Sequence, residues 1–233
     1  MSSPVSDLQP QSVIHTENLC RTVMDADNQA LHILNGIDLQ INAGESAAIL
    51  GSSGAGKSTL LGLLAGLDQA SSGEVYLNQQ PLNKLSEEER AAVRQQVGFV
   101  FQSFQLLDHL TALENVMLPL ELAGEKKYEA KAKQWLDRVG LSHRLKHYPR
   151  QLSGGEQQRV AIARAFAGEP LVLFADEPTG NLDSVTGHSI IELLFSLNKD
   201  QGTTLILVTH DEVLAQRCQR RFYLQQGKLE ERS

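Results

Sequence analysis

Short apolar segments alternate with longer stretches of helical period along most of the chain. The segments Ser46 to Leu50, Leu171 to Ala175 and Thr204 to Thr209 are largely apolar, which is typical of strands buried on both faces of a sheet. Between such segments, apolar residues recur three or four positions apart and predict helices. This alternation predicts an α/β fold with a largely parallel sheet, helical crossovers and some antiparallel strands.

The same pattern places the remaining elements. Further strands are expected at Ser12 to Leu19, Ile33 to Ile41, Glu74 to Asn78, Gly98 to Gln102 and Arg221 to Gln225, the last as an edge strand. Helices are expected at Lys57 to about Leu67, after a capping box of Ser86 and Glu89, at Leu113 to Leu122, Glu125 to Val139 and Glu156 to Ala167, around Ile190, and after Asp211. We expect one domain over 1–233, with a helical subdomain over about 103–168.

Composition argues against three classes of protein: those that mainly bind nucleic acid, integral membrane proteins and disulfide-rich proteins. The 233 residues carry a formal net charge of -7, which argues against a chain whose main ligand is a nucleic acid. Apolar runs are far shorter than the roughly 20 residues that span a bilayer, so we do not expect an integral membrane protein. The 2 cysteines cannot form a disulfide framework, which fits a reducing cytoplasm.

A glycine-rich turn lies between the strand that ends at Leu50 and a predicted helix, and this is the context that a phosphate loop requires. The turn fits the pattern G-x-x-x-x-G-K-[ST] and consists of Gly51, Ser52, Ser53, Gly54, Ala55, Gly56, Lys57, Ser58 and Thr59. Its glycines allow backbone N–H groups to converge on phosphate, Lys57 reaches the outer phosphates and Ser58 binds Mg²⁺. A glycine turn without a ligand is the alternative interpretation.

Two adjacent carboxylates, Asp176 and Glu177, follow the apolar strand that begins at Leu171. We assign Asp176 to Mg²⁺ and Glu177 to the base that polarises an attacking water. The alternative is a solvated acidic turn before Pro178.

Three other polar features end strands or begin helices. Gln102 and His210 lie at the ends of predicted strands, where either could contact a γ-phosphate, although a loop residue and a helix cap are the simpler interpretations. The turn Leu152-Ser-Gly-Gly-Glu156 opens a helix and forms a second anion site or a plain N-cap.

Taken together and in this order, the motifs resemble those of the ATP-binding subunit of ABC transporters. The resemblance covers nearly the whole chain. It implies a P-loop NTPase fold, an ABC-type ATPase with a RecA-like core, an antiparallel β subdomain and a helical subdomain. It also implies ATP and Mg²⁺ as cofactors, with Ser58, Gln102 and Asp176 at the metal, Glu177 and His210 as catalytic residues, and a D-loop of Asn181, Leu182 and Asp183.

The same resemblance implies partners. In a head-to-tail homodimer, ATP on the phosphate loop of one subunit is covered by the signature residues of the other, Ser153, Gly154, Gly155 and Glu156. Gln102 and the helical region after it would couple the γ-phosphate to an integral membrane subunit at the cytoplasmic face of the membrane.

A finer resemblance, carried by residues 101–107, 111–120, 155–165 and 175–183, is to the group of LolD, MacB and FtsE ATPases. It implies a permease of the MacB, LolC or FtsX type and no nucleic acid. One departure concerns adenine, which the family usually stacks on an aromatic residue of the first strand. The aligned stretch here offers only Val23 as an apolar contact, so weak base selectivity is expected.

Two other functions fit the sequence less well than a transporter ATPase does. A soluble ABC-type ATPase of DNA repair or translation usually carries two cassettes or a long coiled coil, and this chain shows neither. A P-loop kinase would leave the Ser153 turn and His210 unexplained.

Overall fold

The structure is a computed structural model that describes residues 12–232 of the chain. The strands are β1 Ser12–Met24, β2 Ala30–Asn42, β3 Ser46–Leu50, β4 Ser72–Leu77, β5 Gln80–Pro81, β6 Val97–Phe101, β7 Val172–Asp176, β8 Thr204–Thr209, β9 Arg220–Gln225 and β10 Lys228–Glu231. The α-helices are α1 Lys57–Leu64, α2 Glu87–Arg94, α3 Ala112–Leu122, α4 Tyr128–Arg138, α5 Gly154–Ala167, α6 Ser184–Gln201 and α7 Glu212–Ala215.

A six-stranded sheet in the order β10-β9-β3-β8-β7-β6 forms the centre of the fold. All its pairings are parallel except that of β10 with β9. Successive residues of β3 face opposite sides, so Ala47 and Ile49 belong to one hydrophobic core and Ala48 and Leu50 to the other. Because β3, β6, β7 and β8 run in parallel, their carboxyl ends meet at one edge, as the α/β prediction requires.

A second, antiparallel sheet in the order β2-β1-β4-β5 shares a core with α1. On the other side, α3, α4 and α5 pack together, with the rings of Trp135 and Phe166 stacked at 5.7 Å. Within residues 12–232, no helix combines the length and the apolar character that crossing a membrane requires.

The strand predicted at Arg221 to Gln225 is present, but the prediction that it lies at the edge of the sheet is wrong. β9 lies between β3 and β10, and β10 is the edge. The reason is a tight turn at Gln226 and Gly227, whose φ angles of 47° and 73° reverse the chain into a hairpin.

Several element bounds also differ from expectation. The first two strands are longer than predicted because they pair with each other as far as Met24 and Ala30. α1 ends at Leu64 rather than near Leu67, since Gly66 turns left-handed at φ 69°. α5 begins at Gly154 rather than Glu156, because Ser153 caps it by accepting a hydrogen bond from the Glu156 N–H.

Candidate functional site

A cavity of about 1110 Å³ lies at the carboxyl edge of the central sheet. Its walls come from the end of β3, β6, β7 and β8, from β2, and from the β9–β10 turn. The lining residues predicted from the sequence are Ser52 to Thr59, Gln102, Asp176, Glu177 and His210. Side chains that are distant along the chain therefore share one cavity, as open α/β sheets arrange their ligand sites.

The phosphate loop occupies the β3–α1 connection. Gly54 and Gly56 have φ angles of 78° and 99°, a left-handed conformation that glycine adopts without steric cost. Gly56 is the N-cap of α1, so the free N–H groups of the first helical turn point toward the cavity. The Lys57 ammonium lies within this loop, where Nζ donates to the carbonyls of Gly51 at 2.8 Å and Ser52 at 3.1 Å.

Ser58 and Asp176 meet beside the loop. The Ser58 hydroxyl donates to Asp176 Oδ2 at 3.0 Å. Burial raises the pKa of the Asp176 carboxyl, as does the neighbouring charge of Glu177, while the Ser58 hydrogen bond and Lys57 act in the opposite direction. One hydroxyl and one partly desolvated carboxylate next to a phosphate loop are a donor set that fits Mg²⁺, which takes few protein oxygens and completes its shell with phosphate and water.

Glu177 is held in an unusual position. Its φ of 45° lies in the left-handed region, which is rare for a residue with a side chain and is found at functional sites. His210 Nδ1 contacts Glu177 Oε1 at 2.7 Å, and the Thr209 hydroxyl donates to Oε2 at 3.2 Å. The carboxylate is mostly buried, with 18% of its side chain exposed, whereas the His210 side chain is 74% exposed.

Gln102 is fixed by a reciprocal pair of hydrogen bonds. Its Nε2 donates to Asn181 Oδ1 at 3.0 Å, and Asn181 Nδ2 donates to the Gln102 carbonyl at 3.0 Å. A Cβ atom at Gly180 would lie 2.7 Å from Gln102 Nε2, so the amide packs directly against this glycine. Gln102 lines the cavity together with Asp176 and Glu177.

The Ser153 turn lies apart from the cavity. Ser153 to Glu156 form a full capping box at the start of α5, and none of them is among the residues that line the cavity. Arg144 Nε donates to Glu156 Oε1 at 2.9 Å. The pKa of Glu156 is lowered by the Ser153 backbone N–H and by Arg144. The D-loop residue Leu182 packs beside the turn, 3.2 Å from where a Gly154 Cβ would be, and Asp183 caps α6.

The predicted adenine contact at Val23 stays a prediction. In this part of the cavity the lining residues are Leu31, His32 and Ile33 of β2, and Val23 is not among them. Val23 lies on the neighbouring strand, where it pairs with Leu31. His32 supplies an aromatic ring to this wall. Its Nδ1 lies 2.9 Å from Thr22 Oγ1.

Sequence reasoning missed Thr209, Leu31 to Ile33, and Gln226 with Gly227. Thr209 carries a detectable signal, since it ends a buried strand next to His210. The others line the cavity because two hairpins bring them there: the Gly227 carbonyl accepts a hydrogen bond from the Asn35 N–H at 2.7 Å. No local pattern in the sequence identifies that contact.

Comparison with known proteins gives the same family from sequence and from structure. Residues 34–180 match the family model described as ABC transporter. Within the group noted above, the motifs resemble those of YbbA, and the chain is 55% identical over 224 residues to an uncharacterised ABC transporter ATP-binding protein YbbA of Escherichia coli strain K12. That match covers 95% of this chain and 98% of YbbA. The ATP-binding protein LolD of the lipoprotein-releasing system of Xanthomonas axonopodis pv. citri is 48% identical, covering 94% of this chain and 91% of LolD.

Among solved structures, the ATP-binding cassette MJ0796 is similar throughout. A dimeric post-hydrolysis state of MJ0796 bound to ADP and Pi superposes with a TM-score of 0.86 at 39% identity and covers 94% of this chain and 98% of that one. A second dimeric structure of MJ0796, described as a bacterial ABC transporter cassette, gives a TM-score of 0.85 at 40% identity and covers 94% and 99%.

Proposed function

Because this chain belongs to the ABC transporter family, as one of its ATP-binding proteins, we propose that it powers an integral membrane partner by binding and hydrolysing ATP. The observation that carries the proposal is the single cavity in which the phosphate loop, Asp176, Glu177, Gln102 and His210 converge. The chain is an ATPase of this family, with ATP as its substrate and Mg²⁺ as its cofactor. We treat residues 1–233 as one ATP-binding domain with a helical subdomain over about 103–168.

Phosphate binding follows from the loop. The backbone N–H groups at the start of α1 and the Lys57 ammonium provide hydrogen-bond donors and positive charge for the β- and γ-phosphates. Ser58 and Asp176 would hold Mg²⁺, with the side-chain oxygen of Gln102 as a further ligand. When bound, the ion neutralises phosphate charge.

Hydrolysis requires a base and an oriented water. In the proposed step, water oxygen bonds to the γ-phosphorus while the bond from that phosphorus to the bridging oxygen breaks, and Glu177 accepts the proton of the water. The hydrogen bonds from Thr209 and His210 orient the Glu177 carboxylate for this role.

The position of the Ser153 turn supports a head-to-tail homodimer. A helix N-terminus with Ser153, Gly154 and Gly155 is suited to an anion, but it lies outside the cavity of its own subunit. A second copy would bring this turn onto the nucleotide, with Asn181, Leu182 and Asp183 between the two sites. MJ0796, which is similar over nearly the whole chain, forms dimers.

We further propose that the membrane partner is a permease of the MacB, LolC or FtsX type, with few transmembrane helices and a large periplasmic region. The support is the 48% identity to LolD, a component of a lipoprotein-releasing system. In this proposal the chain lies at the cytoplasmic face of the inner membrane as a peripheral subunit and binds no nucleic acid.

Affinity purification tests this partnership. With the chain tagged and its neighbouring genes co-expressed, we expect detergent-solubilised membranes to yield an integral protein of that type at a fixed ratio. The chain should leave detergent-free membranes after an alkaline wash, because it is held by a partner and not by lipid. Recovery only in the cytosol would contradict a transporter role and favour a soluble ABC-type ATPase.

Base selectivity gives a second prediction. Stacking on the His32 ring and apolar contact with β2 act on the face of a purine and do not distinguish its exocyclic groups. We therefore expect the dissociation constants of Mg-ATP and Mg-GTP, measured by calorimetry, to differ by less than about tenfold, or about 1.4 kcal/mol. A larger difference would mean that hydrogen bonds to the base contribute to selection.

A further inference from the structure

The segment that follows Gln102 has a strained backbone. Phe104 and Gln105 have φ angles of 60° and 49°, so two consecutive residues with side chains occupy the left-handed region. Local hydrogen bonds hold the turn, from the Phe104 N–H to the Phe101 carbonyl at 3.2 Å and from the Gln105 N–H to the Ser103 carbonyl at 2.6 Å. Such a conformation persists only where the surroundings stabilise it.

Arg164 of α5 provides that stabilisation. Its guanidinium donates from Nη1 to the Gln105 carbonyl at 2.7 Å and from Nη2 to the Phe104 carbonyl at 3.1 Å. Burial lowers the pKa of Arg164. Within residues 12–232 no carboxylate forms an ion pair with it. The cation is partly buried and has lost part of its hydration, so its two hydrogen bonds to the Phe104 and Gln105 carbonyls compensate it.

α5 also contacts the backbone next to Gln102 and next to Glu177. The buried Gln158 donates from Nε2 to the Pro178 carbonyl at 2.6 Å and lies 3.4 Å from the Phe101 carbonyl. Pro178 follows Glu177, and Phe101 precedes Gln102. α5 therefore holds the backbone beside both residues.

The first turn of α5 is also in contact with the strained loop. A Cβ atom at Gly154 would lie 3.6 Å from Phe104 Cζ, so the Phe104 ring packs beside the Ser153 turn. The loop, the turn and α5 thus form one connected unit, with Arg164 about three turns along the helix from Ser153.

We propose that Arg164 is a positioning residue for ATP turnover. By holding the Phe104 and Gln105 carbonyls, it fixes the loop that carries Gln102 and keeps that loop in register with the Ser153 turn. This inference rests on the proposed function, because it concerns the rate of ATP hydrolysis. Arg164 does not line the cavity, so its loss should affect the catalytic rate more than the binding of ATP.

The test compares Arg164→Met with the parent chain at full length. We expect kcat to fall about 10- to 100-fold, since small misplacements of catalytic groups have effects of that size. The dissociation constant of Mg-ATP, measured with a fluorescent ATP analogue, should change less than about threefold, because the phosphate loop is untouched. Circular dichroism and a melting curve establish that the variant is folded.

Arg159 of the same helix is the matched control. It donates to the Val139 carbonyl at 3.2 Å and to Ser189 Oγ at 3.4 Å, both remote from the Gln102 loop. Arg159→Met should therefore keep kcat within about twofold of the parent. An equal loss in both variants would show that any arginine of α5 matters only for folding, and would overturn the proposal.

Rescue by glycine separates positioning from general stability. Glycine adopts a left-handed φ without strain, so Gln105→Gly in the Arg164→Met background should recover part of kcat and change the parent little. If Arg164→Met does not fold, Arg164→Lys keeps the charge and the packed stem but not the two-pronged guanidinium, and should lose at least about threefold in kcat. Parental kcat in a folded Met or Lys variant would overturn the inference, whereas a parent chain without ATPase activity would instead contradict the proposed function.

Discussion

Replacement of Glu177 by Gln should remove nearly all ATP turnover and leave ATP binding intact. The amide keeps the size of the carboxylate and can still contact His210 and Thr209, but it cannot accept the proton of the attacking water. General base catalysis contributes about 10²- to 10⁴-fold, so kcat should fall by at least the lower figure. Steady-state phosphate release measures kcat, and equilibrium binding of Mg-ATP measures affinity.

Glu121→Gln provides the control for this substitution. Glu121 is an exposed residue of α3 and does not line the cavity, so the same chemical change there should leave turnover at the parental rate. Turnover by Glu177→Gln near the parental rate would mean that another group accepts the proton.

Replacement of Lys57 by Ala should abolish ATP binding itself. The change removes the positive charge of the phosphate loop and the two hydrogen bonds from Nζ to the carbonyls of Gly51 and Ser52. A charge-assisted hydrogen bond contributes roughly 1.5–3 kcal/mol, so the loss of one such bond to each of the β- and γ-phosphates should raise the dissociation constant by about 100-fold or more. Titration calorimetry with Mg-ATP measures it.

Lys84→Ala is the matched variant for Lys57. The Lys84 side chain is 69% exposed and lies 3.5 Å from Glu74, away from the cavity. Its removal should leave ATP affinity unchanged. Unaltered affinity in the Lys57 variant would indicate that backbone N–H groups alone hold the phosphates.

Much of the central sheet could be predicted because its strands are buried on both faces. The bounds of β3 and β8 agree with the sequence pattern, since every residue of both strands is buried. The hairpin at Gln226 and Gly227 was missed because β10 is short and mostly polar, with the burial pattern of an edge. Periodicity carries little information about such a strand.

The cavity residues at the ends of the central strands could be predicted, but their geometry could not. Ends of parallel strands meet at one edge, so Gln102, Asp176, Glu177 and His210 could be expected near the phosphate loop. The contacts that orient these side chains could not be predicted. The Gln102–Asn181 pair joins residues 79 positions apart, and Thr209 reaches Glu177 across 32. The adenine contact predicted at Val23 came from an aligned family position, whereas the place of Leu31 to Ile33 in the cavity wall depends on the β1–β2 register.

A nucleotide site shared between two copies is tested most directly by the mass of the Glu177→Gln variant in solution. ATP should join two copies, because the Ser153 turn lies outside its own cavity and, in the proposed homodimer, reaches the nucleotide of the second subunit. Light scattering with size-exclusion chromatography should give the monomer mass of 25.6 kDa without nucleotide and twice that mass with saturating ATP. The double variant with Lys57→Ala should stay monomeric. A Glu177→Gln chain that binds ATP and remains at 25.6 kDa would contradict a site shared between two copies.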